Sequence, residues 1–171
     1  MMDTRSEQMV TDPRELRRAL GRFATGVTIV TTCTEDGRLE GLTANSFTSV
    51  SLDPPLVLWS LNRAARSLPS FLSARWFTVN VLGSHQRELS ARFAGSMADR
   101  FAGLDFAEGL GGCPVLEDGI AHFECSVHDR VDAGDHVIFL GRVERMRHRE
   151  GVPLLYSSGR YCVPAALELA D

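Results

Sequence analysis

Residues 27–61 read VTIVTTCTEDGRLEGLTANSFTSVSLDPPLVLWSL, and this stretch decides the fold. Val27 to Thr32 is β-branched throughout, which suits the pleated surface of a strand better than a helix. Glu35-Asp36-Gly37 reads as a turn, and Leu39 to Leu42 begins the returning strand. Phe47 to Leu52 and Leu56 to Leu61 are two more strands. Asp53-Pro54-Pro55 parts them, because proline has no N–H to give to a sheet interior. Thr43-Ala44-Asn45-Ser46 breaks the apolar pattern with small hydrogen-bonding residues. Such a run lets backbone approach a flat ligand and offers N–H, C=O and hydroxyl groups to its rim. A strand-edge turn is its plainer reading.

Working outward, Asp12-Pro13-Arg14-Glu15 is a helix start, with Asp as N-cap, Pro at N1 and Glu at N3 closing a capping box. Leu16, Ala19, Leu20 and Phe23 follow on one apolar face, and Gly26 stops the helix. On the other side, Ser67 begins a short helix to about Ala74, Phe77 to Leu82 is a strand, and Gln86 to Phe93 has helical periodicity. Residues 95–119 read mostly as loop. Ile120 to Val131 is a strand, Gly134-Asp135 a turn, His136 to Met146 a long strand and Leu154 to Tyr156 the last. Some seven strands with a few short helices and no βαβ alternation argue for an antiparallel barrel and against a Rossmann fold.

The chain has 171 residues, 44% of them hydrophobic and 23% charged, enough for one core in a single domain. We expect that domain to span 1–171, with its core at about 13–164 and tails at 1–11 and 165–171. No run approaches the roughly 18 apolar residues of a membrane span, and Met1 to Val10 is too polar for a signal peptide, so the expected setting is the cytoplasm. The net charge of −4 is the wrong balance for a nucleic-acid binder. All 18 basic residues are Arg, which excludes Schiff-base chemistry and a Walker lysine. Six of them (Arg63, Arg66, Arg75, Arg87, Arg92 and Arg100) fall between Asn62 and Arg100, against Glu88 and Asp99 alone. That basic window in an acidic chain suits a small anionic ligand, or is a solvated face.

Cys33, Cys113, Cys125 and Cys162 show no C-x-x-C spacing and read as reduced, mostly buried residues. There is no G-x-G-x-x-G, G-x-x-x-x-G-K, H-E-x-x-H or G-x-S-x-G. His122 and His128 have the even spacing of one strand face, a weak metal pair, and no metal is expected. Two other constellations stand out. At Arg66-Ser67 a guanidinium, a hydroxyl and the N–H groups of a helix start point to a phosphate, unless Ser67 is only an N-cap. Gly134-Asp135-His136 puts a histidine at a strand mouth, facing a ligand or serving only as turn chemistry.

Taken in order, TGVTIVTT (25–32), GLTANSFTSVSLDPPLVLWSL (41–61), FTVNVL (77–82), QRELSARFAG (86–95), GDHVIFLGRV (134–143) and PLLYSSGRY (153–161) resemble the flavin reductase-like family. The resemblance covers about residues 13–164. It implies an FMN-binding split barrel, a six-stranded antiparallel Greek-key barrel with added helices, working as a homodimer. Members reduce FAD or FMN with NADH or NADPH and release the reduced flavin to a partner monooxygenase, here one expected to act on an aromatic compound. A split-barrel enzyme that keeps its flavin for its own organic substrate, and a non-catalytic flavin-binding module, are the alternatives.

By that resemblance Thr43, Ala44, Asn45 and Ser46 line the isoalloxazine, and Ser60, Leu61 and Asn62 lie beside the ribityl chain. Arg66 and Ser67 match the phosphate position, with Arg92 and Arg100 as further anchors. His136 lies near the nicotinamide, and Tyr156, Gly159, Arg160 and Tyr161 match the segment associated with the pyridine nucleotide. Ser157-Ser158 departs from the aromatic-basic pair of many relatives. Hydride transfer from nicotinamide C4 to flavin N5 needs stacked rings and neither a nucleophile nor a metal, which fits the sparse catalytic inventory.

Overall fold

The computed structural model describes residues 12–166. The expected tail at 1–11 lies outside the described residues, as does all of the tail at 165–171 beyond Ala166. In chain order the elements are α1 (Pro13–Leu20), β1 (Thr25–Gly26), β2 (Thr28–Cys33), β3 (Leu39–Ala44), β4 (Thr48–Leu52), β5 (Pro55–Asn62), α2 (Leu68–Ser73) and β6 (Trp76–Val81). They continue with α3 (Arg87–Ala94), β7 (Phe106–Glu108), β8 (Pro114–Leu116), β9 (Ala121–Ala133), β10 (His136–His148), β11 (Leu155–Ser157) and β12 (Arg160–Cys162).

The expected fold class holds: an antiparallel, mainly β split barrel with short helices. The main sheet runs β3-β2-β6-β9-β10-β5-β4, seven strands where the resemblance implies six. Its two ends meet where the 45–47 corner carries β3 into β4 and Ser46 bonds to Ser60 of β5. A second sheet, β1-β11-β12, and a β7-β8 ribbon complete the chain.

Alternation along β5 sends Val57, Trp59 and Leu61 into the core, with Leu58, Ser60 and Asn62 on the opposite face. Inside, the Trp59 ring stacks on Phe139 at 4.7 Å and meets the edges of Phe71 and Phe77. α2 supplies Leu68 and Phe71 to this core. A second cluster, of Val27, Ile29, Leu82, Phe93, Leu116 and Leu154, lies under α3 and the β11–β12 hairpin. Gly41 permits that packing, because a Cβ there would come within 2.8 Å of the Phe93 ring.

Several expectations change. Asp12 does cap α1, its carboxylate accepting from Arg14 N at 2.8 Å, but Glu15 pairs with Arg18 and closes no capping box. α1 ends at Leu20, and Gly26 belongs to β1. The apolar face of α1 is not core: Leu16, Leu20 and Phe23 are 41%, 65% and 78% exposed. Pro55 opens β5, where the first residue of a strand tolerates it. Residues 95–119 hold β7 and β8, and β12 follows the strand expected to be last. A bulge at His128 takes it out of the ladder, so it does not pair with the buried His122.

His122 belongs to a buried knot around Asn80, which is fully buried. Asn80 Nδ2 donates to Ile29 O at 3.0 Å and to the Thr31 hydroxyl at 3.3 Å. Its Oδ1 accepts from Leu116 N at 2.9 Å and from His122 Nδ1 at 3.0 Å. An amide oxygen only accepts, so Nδ1 of His122 carries the proton. Burial, with Arg147 beside it, pushes His122 down to about 4.

Candidate functional site

The β5–β10 register and the hydroxyl contacts of Ser46, Thr43 and Ser90 gather most of the expected site residues on one rim. β5 pairs with β10 so that Asn62 faces His136 and Ser60 faces Ile138. Cross-strand partners share a face, so Ser60, Asn62 and His136 lie together on the side away from Trp59. Leu61 pairs with Val137 on the other side and is a core residue, so only its backbone reaches that rim. The Ser46 hydroxyl accepts from Ser60 N at 2.9 Å and donates to Ser60 O at 3.2 Å. That clip brings the 43–46 corner to the same rim.

The other end of the corner is tied to α3. Thr43 Oγ1 donates to Ser90 O at 2.6 Å, and the Ser90 hydroxyl meets Tyr161 OH at 2.9 Å. Tyr161 packs edge-on against Tyr156, and Arg87 sits 5.8 Å over its ring. Residues 156–161 thus adjoin the 43–46 corner through Ser90, a buried residue inside the QRELSARFAG run that the expected site does not include. Within the corner, Ala44 is buried and its carbonyl accepts from Thr28 Oγ1 at 2.8 Å, whereas Asn45 is exposed. Gly159 and Arg160 are exposed at the hairpin tip.

At the end of β5, Asn62 Oδ1 accepts from Ala64 N at 2.8 Å and turns the chain toward α2. Ser67 is buried at the N-cap position, yet its hydroxyl makes no cap bond. Arg66 beside it is exposed and, unlike Arg63, is in no ion pair among the described residues. α2 is only six residues long, so a guanidinium and an uncommitted hydroxyl, more than a helix dipole, make this spot fit a phosphate. Together with the exposed Asn45 corner, these groups fit a flavin mononucleotide unit.

Arg63, outside the expected set, clamps the β9–β10 hairpin to this turn. Its backbone N–H donates to Asp135 O at 2.9 Å, its Nε to Gly134 O at 3.1 Å, and its guanidinium pairs with Asp132. Asp135 Oδ1 accepts from His136 Nδ1 at 2.8 Å, and that bond holds the Asp135 carboxyl below the usual carboxylate range. With Nδ1–H so engaged, Nε2 is the free nitrogen of His136.

Arg92 and Arg100 are placed elsewhere. Arg92 donates to Ala102 O, and Arg100 donates to Gly41 O at 2.8 Å and Gly95 O at 2.7 Å. Arg100 also lies 3.5 Å from Glu40. Their guanidiniums pin the 95–104 loop to β3 and α3. The resemblance implies them as phosphate anchors, but a sequence match carries no information about which carbonyls an arginine meets.

Comparison with known proteins gives the family. The model of the family described as flavin reductase like domain matches residues 20–165. A probable flavin reductase of Rhizobium meliloti (strain 1021) is 49% identical over 91% of this chain and 50% of its own, so this chain spans about half of that relative. The flavin-dependent monooxygenase reductase subunit HsaB of Rhodococcus jostii (strain RHA1) is 42% identical over 88% of this chain and 77% of its own. Among solved structures, the Streptomyces globisporus C-1027 NADH:FAD oxidoreductase SgcE6, in complex with NAD and FAD fragments, superposes with a TM-score of 0.85. It is 37% identical and covers 92% of this chain and 98% of its own. With the corner, the Arg66-Ser67 turn and the hairpin histidine all present, this chain belongs to the flavin reductase-like family.

Proposed function

We propose that the protein oxidises NADH or NADPH to reduce FAD or FMN, and that the reduced flavin serves a monooxygenase. The observation that carries this is the shared rim: the Ser46–Ser60 clip and the Asn62–His136 register bring three separate segments together. Bound there, the flavin supplies the hydride acceptor. Residues 43–46 form the backbone platform for its ring, Ser60 and Asn62 flank its ribityl chain, and Arg66 and Ser67 hold its phosphate. Tyr156, Gly159, Arg160 and Tyr161 receive the nucleotide, and His136 positions the nicotinamide. The relatives' names support NADH as the donor and both FAD and FMN as the flavin. Turnover that requires both nucleotides is the direct test.

His136→Ala is expected to slow reduction of bound flavin by roughly ten-fold or more while leaving flavin affinity within about two-fold, since positioning of the nicotinamide is lost and the phosphate site is not. Stopped-flow reduction alongside a flavin titration reads both. Equal loss in the two would make His136 a structural residue.

We also propose a homodimer in the cytoplasm. Leu16, Leu20, Phe23 and Leu52 expose apolar surface of the sort that a second copy covers, and sedimentation is expected to give twice the 18.8 kDa chain mass. A mass of one chain would count against it. The free cysteines suit a reducing compartment, and among the described residues no helix is long and apolar enough to cross a membrane.

A further inference from the structure

Four arginines, Arg14, Arg17, Arg18 and Arg22, with Gly21 at the end of α1, line a groove of about 470 Å³ whose other wall is Ser158 and Gly159. Of the four, Arg18 alone is in an ion pair among the described residues, with Glu15. Helix stability does not account for this concentration. Arg17 and Arg18 suit the last turn of α1, but Arg14 lies in the first turn, where a cation opposes the macrodipole. None of the four arginines is buried, so packing within the chain does not require them either.

The opposite wall is held in place at a backbone cost. Ser158 is in the left-handed region at φ 48, unusual for a residue with a side chain, and Gly159 follows at φ 79. Ser158 N–H donates to Gly21 O at 2.7 Å, fixing the hairpin tip against the end of α1. Space above Gly159 is open, with nothing within 4 Å of a Cβ placed there. Tyr161, which closes the corner through Ser90, is two residues from this tip, about 7 Å along the strand. A dinucleotide with one ring at the corner therefore has its other half within reach of the groove.

We propose that this groove binds the phosphates on the adenosine half of a dinucleotide, that the pyridine nucleotide is its occupant, and that the extra 2′-phosphate makes NADPH an effective hydride donor for this protein. The inference rests on the flavin reductase reading. Guanidiniums recognise phosphate through paired N–H donors, and four of them at one wall are relieved of mutual repulsion when an anion enters.

The test is the variant Arg17→Gln/Arg22→Gln, which keeps helix propensity and removes two charges from exposed positions. KM is measured for NADPH, NADH, reduced nicotinamide mononucleotide, FAD and FMN, and binding of 2′-phospho-ADP-ribose is followed by calorimetry. The expected result is a rise in KM of about ten-fold for NADPH, less for NADH and none for the mononucleotide, with the NADPH effect fading at high salt. Binding of 2′-phospho-ADP-ribose should weaken in parallel. A rise for FAD without one for FMN would keep the phosphate groove but make the flavin adenylate its occupant, overturning the pyridine-nucleotide assignment. Unchanged constants for all five, or equal changes that include both mononucleotides, would overturn the groove. Absence of turnover in the unaltered protein would instead reject the reductase reading, and calorimetry would still report on the groove.

Discussion

Ser67→Ala and Arg66→Ala are each expected to weaken flavin binding by about ten-fold, since a hydrogen bond to a charged group contributes roughly 1.5–3 kcal/mol and an exposed arginine sits at the low end. Neither change should cost much stability. The Ser67 hydroxyl makes no capping bond, so its loss orphans no backbone donor, and Arg66 is solvent-exposed. Affinity and folding are therefore separable at this spot. Arg100→Ala is expected to behave the other way. It strips donors from Gly41 O and Gly95 O and loosens the 95–104 loop, with flavin affinity much less affected. Fluorescence titration of FAD and FMN, paired with thermal melts, distinguishes the two patterns. Unchanged flavin affinity in both Ser67→Ala and Arg66→Ala would reject the phosphate assignment.

The second large effect is on stability in mild acid. His122 is buried and held near 4, whereas in the unfolded chain it titrates near 6.5. Above pH 6.5 both states leave it neutral and its contribution is complete. As pH falls from 6.5 towards 4 the unfolded chain takes up a proton that the folded one refuses, so stability declines by about 3 kcal/mol across that window. Against a typical total of roughly 5–15 kcal/mol, that is a large fraction. Glu124, hydrogen-bonded to Arg145 and to Leu110 N, is held below the usual carboxylate range despite burial, so it adds its own loss only at lower pH. His122→Asn keeps a donor towards Asn80 Oδ1 but cannot titrate. Urea unfolding from pH 7.5 down to 4.5 should show the wild-type advantage shrinking relative to the variant, and parallel profiles would contradict the assignment.

Local chemistry explains which features were legible beforehand. The β-branched run at 27–32, the turn at Gly37 and the capping of α1 by Asp12 depend on neighbours in sequence, and each forms where expected. The small polar corner at 43–46 and the Gly-Asp-His turn were visible for the same reason. Features set by tertiary contact were not. Periodicity gave α1 an apolar face without saying what would cover it. The resemblance implies Arg92 and Arg100 as anchors, yet their geometry is decided by carbonyls of β3 and of the 95–104 loop. Nothing local marks Ser90, within the helical run 86–93, as the point where Thr43 and Tyr161 converge. The one local hint of the buried knot was Asn80 itself, a polar residue inside the apolar run FTVNVL. Short strands such as β7, β8 and β12 carry too few residues to establish a period.

The most direct test of the central claim is oxidation of NADH by the purified protein in air, with no flavin, with FAD and with FMN. Activity that is negligible without flavin and rises to saturation with one of them is the predicted result, and the better flavin identifies the working cofactor. No turnover with either flavin, from NADH or from NADPH, would contradict the account and leave the rim as a binding site without reductase chemistry.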